Sequence, residues 1–225
     1  MPPDIQCDVA IAGGGLAGGL IALALKARRP GLSIVIVEGA PVIGGNHVWS
    51  FFDGDLHPQA RALVEPLISY RWPAYDIAFP SHRRTIPQGY NSIESEALDA
   101  AVRAALPGDA IVRARVIAIA GGRVTLDNGA TVVAEAAIDT RGPGDVATLN
   151  VGWQKFVGQI LQLDAPHGLT RPIVMDATVD QIDGYRFVYV LPFDERSLFV
   201  EDTYYSDTPD LNVAEVQARI ATYAA

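Results

Sequence analysis

Cysteine is almost absent from this sequence. Cys7 stands alone, which excludes an internal disulfide framework and leaves too few thiols for a cysteine-rich zinc site, so a reducing cytoplasm is the simplest compartment. Basic residues are also sparse: 17 Lys and Arg against 26 Asp and Glu give a net charge of −9, and they are scattered rather than striped along one face. That pattern argues against a nucleic-acid partner. His47 and His167 have no second histidine at ligand spacing, so no metal site is expected and both read as loop hydrogen-bonders. The run from Val9 to Leu25 carries no charge, yet it is no membrane span: glycines crowd Gly13 to Gly18 and no basic segment precedes it. Repeats and low-complexity tracts are missing too. What is present is apolar matter, 49% of 225 residues with 19% charged, enough to bury a core in one large or two small domains and too much for disorder.

The chain opens as strand, turn, helix, strand. Ile5 to Ala12 reads as a buried strand, Leu16 to Arg28 as an Ala/Leu-rich helix stopped by Pro30-Gly31, and Ser33 to Val37 as a second strand. Pro58 to Ser69 and Ser92 to Leu106 read as helices, the latter with Ser92 or Ser95 as its cap, and Trp72 to Tyr90 as irregular or short-stranded. Beyond Pro107-Gly108 the period changes to two. Ile111 to Ala120, Arg123 to Leu126, Thr131 to Ala134 and Ala137 to Asp139 are expected strands, with a hairpin turn at Asp127-Asn128-Gly129. Longer strands follow at Trp153 to Leu163, Pro172 to Thr178, Arg186 to Leu191 and Ser197 to Asp202, then a helix from Asn212 to about Tyr223.

The pattern predicts an α/β fold: a Rossmann-like dinucleotide-binding domain, residues 1–70 and 107–150, interrupted by a strand-rich substrate domain, residues 71–106 and 151–225. Folds interrupted in this way return to the first domain later in the chain, so both domains are expected to be incomplete and a C-terminal portion missing.

Gly13-x-Gly15-x-x-Gly18 would be weak evidence alone among 21 glycines, but it lies between a strand and a helix. There the first glycine permits the tight turn, the second lets backbone N–H groups approach a pyrophosphate, and the third brings helix and strand together. Glu38 ends the second strand about twenty residues on, where an acid accepts hydrogen bonds from an adenosine ribose and disfavours a 2′-phosphate. FAD or NAD is therefore expected rather than NADP. Gly44-Gly45, close behind the ribose acid, favours FAD, and His47 is a further candidate beside the flavin. Ile138-Asp139-Thr140-Arg141-Gly142 is an apolar strand ending in an acid and a glycine, readable as a cofactor contact through Asp139, Arg141 and Gly142 or as a plain strand and turn.

These motifs resemble the bacterial flavin-dependent lycopene β-cyclases. The likeness is carried by Gly13-Gly14-Gly15-Leu16-Ala17, Gly44-Gly45-Asn46-His47-Val48-Trp49-Ser50-Phe51, Gly89-Tyr90 with Ser92-Ile93, and Asp139-Thr140-Arg141-Gly142. It continues through Gly152-Trp153-Gln154-Lys155-Phe156, Pro166-His167-Gly168-Leu169, Met175-Asp176-Ala177-Thr178-Val179, Asp183 to Tyr189, and Glu201-Asp202-Thr203-Tyr204-Tyr205. The resemblance implies cyclisation of lycopene ends to β-ionone rings, giving γ- and then β-carotene without net redox change. It also implies reduced FAD, NAD(P)H as electron source, and peripheral attachment to the membrane that holds the carotenoids.

That chemistry needs a protonated carboxylic acid beside an apolar slot. Glu201 follows an apolar strand, where desolvation and the neighbouring Asp202 would both hold its proton, although a strand-end acid is more often simply solvated. The family's plant members carry two glutamates here, so Asp202 is assigned a supporting or base role. Tyr185, Phe187, Tyr189, Tyr204 and Tyr205 could stabilise a cation through their ring faces or could be core. Two other readings stay open: an FAD- and NAD(P)H-dependent hydroxylase or isoprenoid reductase of the same architecture, and an inactive truncated fragment.

Overall fold

The computed structural model describes residues 4–144 and 148–225. In chain order the strands and helices are β1 (Ile5–Ala12), α1 (Leu16–Arg28), β2 (Ile34–Glu38), β3 (Val48–Phe52), α2 (Pro58–Val64), β4 (Tyr70–Trp72), β5 (Tyr75–Phe79), β6 (His82–Ile86), β7 (Tyr90–Glu94) and α3 (Ser95–Ala105). After them come β8 (Ile111–Arg113), β9 (Val116–Ala120), β10 (Arg123–Leu126), β11 (Thr131–Asp139), β12 (Trp153–Gln162), β13 (Ile173–Asp176), β14 (Tyr185–Pro192), β15 (Ser197–Ser206) and α4 (Val213–Ala224).

The chain divides into two compact units, residues 1–69 with 91–144 and residues 70–90 with 145–225. The first is built on a six-stranded sheet in the order β8-β2-β1-β11-β10-β9. Its first four strands are parallel, and β10 and β9 add antiparallel hairpins. β2 is buried nearly throughout, as a central parallel strand must be. Ile11 and Ile36 point to one side, into a core shared with Ala22 of α1 and with Leu98 and Val102 of α3; Ala10, Val35 and Val37 point to the other, towards Val124, Leu126 and Val132.

The unit's boundaries differ from the sequence expectation: residues 148–150, expected in the dinucleotide domain, fall in the second unit, and the larger difference lies before residue 107. Residues 91–106 were expected in the substrate domain, yet α3 packs on α1: the Leu98 side chain lies against Gly19, where any added Cβ would stand 3.0 Å from it. The start of that helix differs as well, because Tyr90–Glu94 is a strand. Ser69 N–H donates to the Ser92 carbonyl and the Ser50 and Ser92 hydroxyls meet at 2.7 Å, so Ser92 is a strand residue and no side chain caps α3. β11 is one strand where two were expected, since β1 and β10 pair along its two edges.

The second unit is a six-stranded sheet in the order β12-β15-β14-β13-β5-β6, antiparallel except for the β13–β5 pair. α4, capped by Asn212, covers one face with Val216 and Ile220, which pack on Val188, Val190, Leu198 and Val200. Each such buried aliphatic side chain contributes roughly 1.5–3 kcal/mol. β15 runs to Ser206 rather than ending at Asp202, and this extension decides the geometry of the acidic motif.

Candidate functional site

In the first unit the glycine turn joins β1 to α1 at the carboxyl end of the parallel strands. Gly13 holds φ +102, a conformation that strains any other residue, and its N–H donates to the Val37 carbonyl. A Cβ on Gly18 would collide with the Gly13 carbonyl oxygen, so the helix can approach the turn only with glycine there. Gly15 is different: a Cβ on it would meet no protein atom within 4 Å. It caps α1 without any side-chain cap bond, and the first helical turn carries no acid. Among the described residues no side chain caps this end of α1, and Gly15 borders open space, the arrangement in which a helix N-terminus accepts a diphosphate.

Glu38 closes the turn from β2. Its Oε2 accepts from Gly14 N–H and its Oε1 from Ala40 N–H, each at 2.7 Å, so the carboxylate is fixed while retaining lone pairs for a ribose. Gly13, Gly15, Glu38 and Arg141 line one cleft of about 500 Å³ together with Gly39, Arg115 and Thr140. These residues fit the diphosphate and ribose of a dinucleotide such as FAD.

Asp139 and Arg141 form an exposed ion pair at the end of β11, with contacts of 2.7 and 2.8 Å, and the Arg141 hydrogen bonds hold the Asp139 carboxyl down at about 2. Gly142 follows in a left-handed turn and does not line the cleft. Gly44, Gly45 and His47 lie on the next loop. Gly44 N–H donates to the Gly14 carbonyl, the Ser95 hydroxyl accepts from His47 N–H, and the exposed His47 ring stacks on Trp49 at 5.7 Å. The loop is tied further to α3 by Asp99, whose carboxylate accepts from Ile43 N–H.

Two residues of the first unit were missed by the sequence reading. Thr140 donates through Oγ1 to the carbonyls of Ala12 and Gly13, pinning β11 to the glycine turn; the signal was its place between Asp139 and Arg141. Arg115 was absorbed into one long strand, but the strand breaks at Ala114-Arg115 and the side chain lies over Gly39 at the cleft.

In the second unit Glu201 sits mid-sheet, paired with Tyr189 on β14 and Gly158 on β12. It is half-buried, and desolvation pushes its carboxyl above the ordinary value, against the opposite effect of the Thr203 hydroxyl, which donates to Oε1 at 2.7 Å. Strand alternation puts Tyr185, Phe187, Tyr189 and Tyr205 on the same face as Glu201. The face is partly open: Phe156, Ile160, Tyr185 and Tyr205 are exposed.

Phe199 joins them and was not singled out in the sequence. A Cβ on Gly158 would stand 2.5 Å from its ring, so the missing side chain opposite Glu201 is what lets the ring lie across β12. Phe199 meets Tyr189 edge-on at 6.2 Å and stacks with Phe193, which stacks on Tyr70 at 4.1 Å.

Asp202 is not part of this face. Its fully buried carboxylate points to the α4 side, where the Arg186 guanidinium grips it with contacts of 2.7 and 2.9 Å and the Tyr204 hydroxyl donates at 2.8 Å. The expectation that Asp202 raises the pKa of Glu201 and serves beside it is corrected: burial does the raising, and Asp202 is an ion-pair partner on the opposite face. Tyr204 lies on that face too. His167 is a loop hydrogen-bonder, as read: its ring nitrogens meet the Asp194 carbonyl and Leu169 N–H.

Comparison with known proteins gives the family. Residues 8–225 match the family model described as lycopene cyclase protein. The lycopene beta-cyclase of Pseudescherichia vulneris is 42% identical over 217 residues, which cover 96% of this chain and 56% of that protein. The lycopene beta-cyclase of Paracoccus sp. (strain N81106 / MBIC 01143) is 44% identical, with 96% of this chain and 56% of that protein covered. The chain thus spans little more than half the length of these relatives.

Among solved structures, a geranylgeranyl bacteriochlorophyll reductase-like protein of Thermoplasma acidophilum aligns over 98% of this chain and 62% of its own, with TM-score 0.65 and 19% identity. A probable FAD-dependent monooxygenase of Pseudomonas aeruginosa aligns over 89% and 61%, with TM-score 0.63 and 17% identity. At such identities the likeness is one of fold, an α/β architecture shared with both proteins. The match over nearly the whole chain, with relatives above 40% identity, establishes that the chain belongs to the lycopene cyclase protein family.

Proposed function

We propose that this chain carries the flavin site and the proton donor of a lycopene β-cyclase, an isomerase that closes lycopene ends into β-ionone rings. The observation that carries the reading is Glu201, a desolvated carboxyl on an aromatic, partly open sheet face. Its Oε–H bond breaks as a C–H bond forms on the terminal double bond; a neighbouring double bond closes the ring on the cation, and the ring C–H bond that then breaks gives its proton back to the Glu201 carboxylate, which restores neutrality and the acid. Tyr189 and Phe199 flank Glu201 and offer ring faces to positive charge. FAD would be held by Gly13, Gly15, Glu38, Thr140, Arg115 and Arg141, with NAD(P)H as its electron source, and when bound and reduced it would supply an electron-rich ring. A C40 hydrocarbon resides in the bilayer, so peripheral contact with the cytoplasmic membrane face belongs to this reading; among the described residues no helix is long and apolar enough to cross.

The test is conversion of lycopene in vesicles by the purified chain with FAD and NAD(P)H, run both with and without oxygen. β-Carotene formed without net NAD(P)H consumption supports the cyclase. Oxygen uptake or NAD(P)H turnover in step with product would instead make this a hydroxylase or reductase.

Gly15 and Gly18 separate flavin binding from folding. Gly15→Ala, placed at φ −70 in open space, is expected to alter stability by less than about 1 kcal/mol yet weaken FAD at least about tenfold, read by flavin fluorescence titration. Gly18→Ala should lower the melting temperature as well, because its Cβ meets backbone. Equal FAD affinity in wild type and Gly15→Ala would remove the diphosphate from this turn.

A further inference from the structure

We propose that Thr203 is the positioning residue of the acid, fixing which oxygen of Glu201 carries the proton; the proposal rests on the reading of Glu201 as proton donor. Thr203 is fully buried, one strand period beyond Glu201 on the same face, and its Oγ1 donates to Glu201 Oε1 at 2.7 Å. Among the described residues this hydroxyl is the carboxyl's one hydrogen-bond partner.

A neutral carboxylic acid has one carbonyl oxygen, the better acceptor, and one hydroxyl oxygen. A donor fixed on Oε1 makes that atom the carbonyl oxygen and leaves the proton on Oε2. The bond also stops the carboxyl from turning over, so the proton is presented from one atom. After transfer, the same hydroxyl stabilises the carboxylate that remains.

Among the described residues of β12, β14 and β15 this face adds no charged side chain, and the Tyr189 hydroxyl meets that of Tyr90 at 2.8 Å. On β12 the same face carries Gln154, Phe156, Gly158 and Ile160; on β14 it carries Tyr185, Phe187 and Tyr189; on β15 it carries Phe199 and Tyr205. The tyrosines are the only other titratable groups of that set, and the Arg186–Asp202 pair faces away. Thr203 is therefore the polar lever on Glu201.

The test compares Thr203→Val, which keeps the shape and loses the donor, with Thr203→Ser, which keeps the donor. Carboxyl 13C signals of glutamate-labelled protein are titrated, with Glu201→Gln assigning the Glu201 resonance, and the pH profile of lycopene cyclisation is recorded on the same proteins. The valine variant is expected to titrate Glu201 at higher pH, to carry the alkaline limb of the activity profile upward with it, and to lose roughly threefold to tenfold in kcat with KM unchanged; the serine variant should match wild type in all three. Should the valine variant fail to fold, Thr203→Ala makes the same comparison. An unmoved Glu201 titration in the variant lacking the hydroxyl, or a serine variant as impaired as the valine one, would overturn the proposal. Glu201→Gln that still forms β-carotene would overturn the underlying acid assignment, an outcome visible apart from the titration.

Discussion

Glu201→Gln is expected to lower β-carotene formation by at least about 100-fold, the usual contribution of a positioned general acid. The substitution is chosen because it removes only the proton. Glutamine retains the size and a carbonyl oxygen to accept from Thr203, and it sits on the same face beside Tyr189 and Phe199. The sign of its effect on stability is opposite to that on activity. Burial raises the carboxyl's folded value above its unfolded one, so the folded state binds the extra proton and loses stability as pH rises from the unfolded value through the folded one. Glutamine has no charge to desolvate and escapes that loss. Thermal melts at pH 8 should therefore show the variant at least as stable as wild type, while lycopene assays at the same pH show little product. Unchanged β-carotene formation would remove Glu201 from the chemistry; lost activity accompanied by a lower melting temperature would mean that the substitution had damaged the sheet instead.

The first strand, helix and second strand were legible because their signals are local: a strand that ends in the apolar run Val9 to Ala12, glycines that terminate it, and Pro30-Gly31 after the helix. The cleft residues Gly13, Gly15 and Glu38 inherit that legibility. What sequence reading lost depended on contacts far apart in the chain. Ser92 has the chemistry of a helix cap, and only its pairing with Ser50 and Ser69 makes it a strand residue. α3 was assigned away from the first unit because nothing within its own sequence names Gly19 as the partner of Leu98. Glu201 and Asp202 illustrate a third kind of loss. Ending the strand at Asp202 allowed both acids to share a turn, whereas pairing with β12 and β14 carries the strand on to Ser206 and sends consecutive side chains to opposite faces. Phe199 went unnoticed for a related reason, since its position depends on the absent side chain of Gly158 two strand ends away in sequence.

That division of faces gives the acidic motif two separate jobs, and Arg186→Met tests the structural one. Arg186 and Asp202 are 7% and 0% exposed at their side chains, so the pair is shielded from water and its geometry is bidentate. The Arg186 guanidinium also lies over the Tyr204 ring at 5.7 Å and donates to the Asp180 carbonyl, tying β14, β15 and the loop before β14 together beneath α4. Methionine fills much of the space but leaves the Asp202 carboxylate buried with only the Tyr204 hydroxyl, an uncompensated charge that costs about 3–5 kcal/mol. The expected result is a fall in melting temperature on the order of 10 °C and a lower urea midpoint. Because desolvating a buried pair offsets most of its attraction, Arg186→Met combined with Asp202→Leu should recover much of that loss. The double variant should also leave the Glu201 titration where it was, since neither replaced group faces that carboxyl. A single variant as stable as wild type would show that Asp202 finds water or another partner under α4; a Glu201 titration displaced by the double variant would mean that the two faces of the sheet are electrostatically coupled and that the acid cannot be understood from its own face alone.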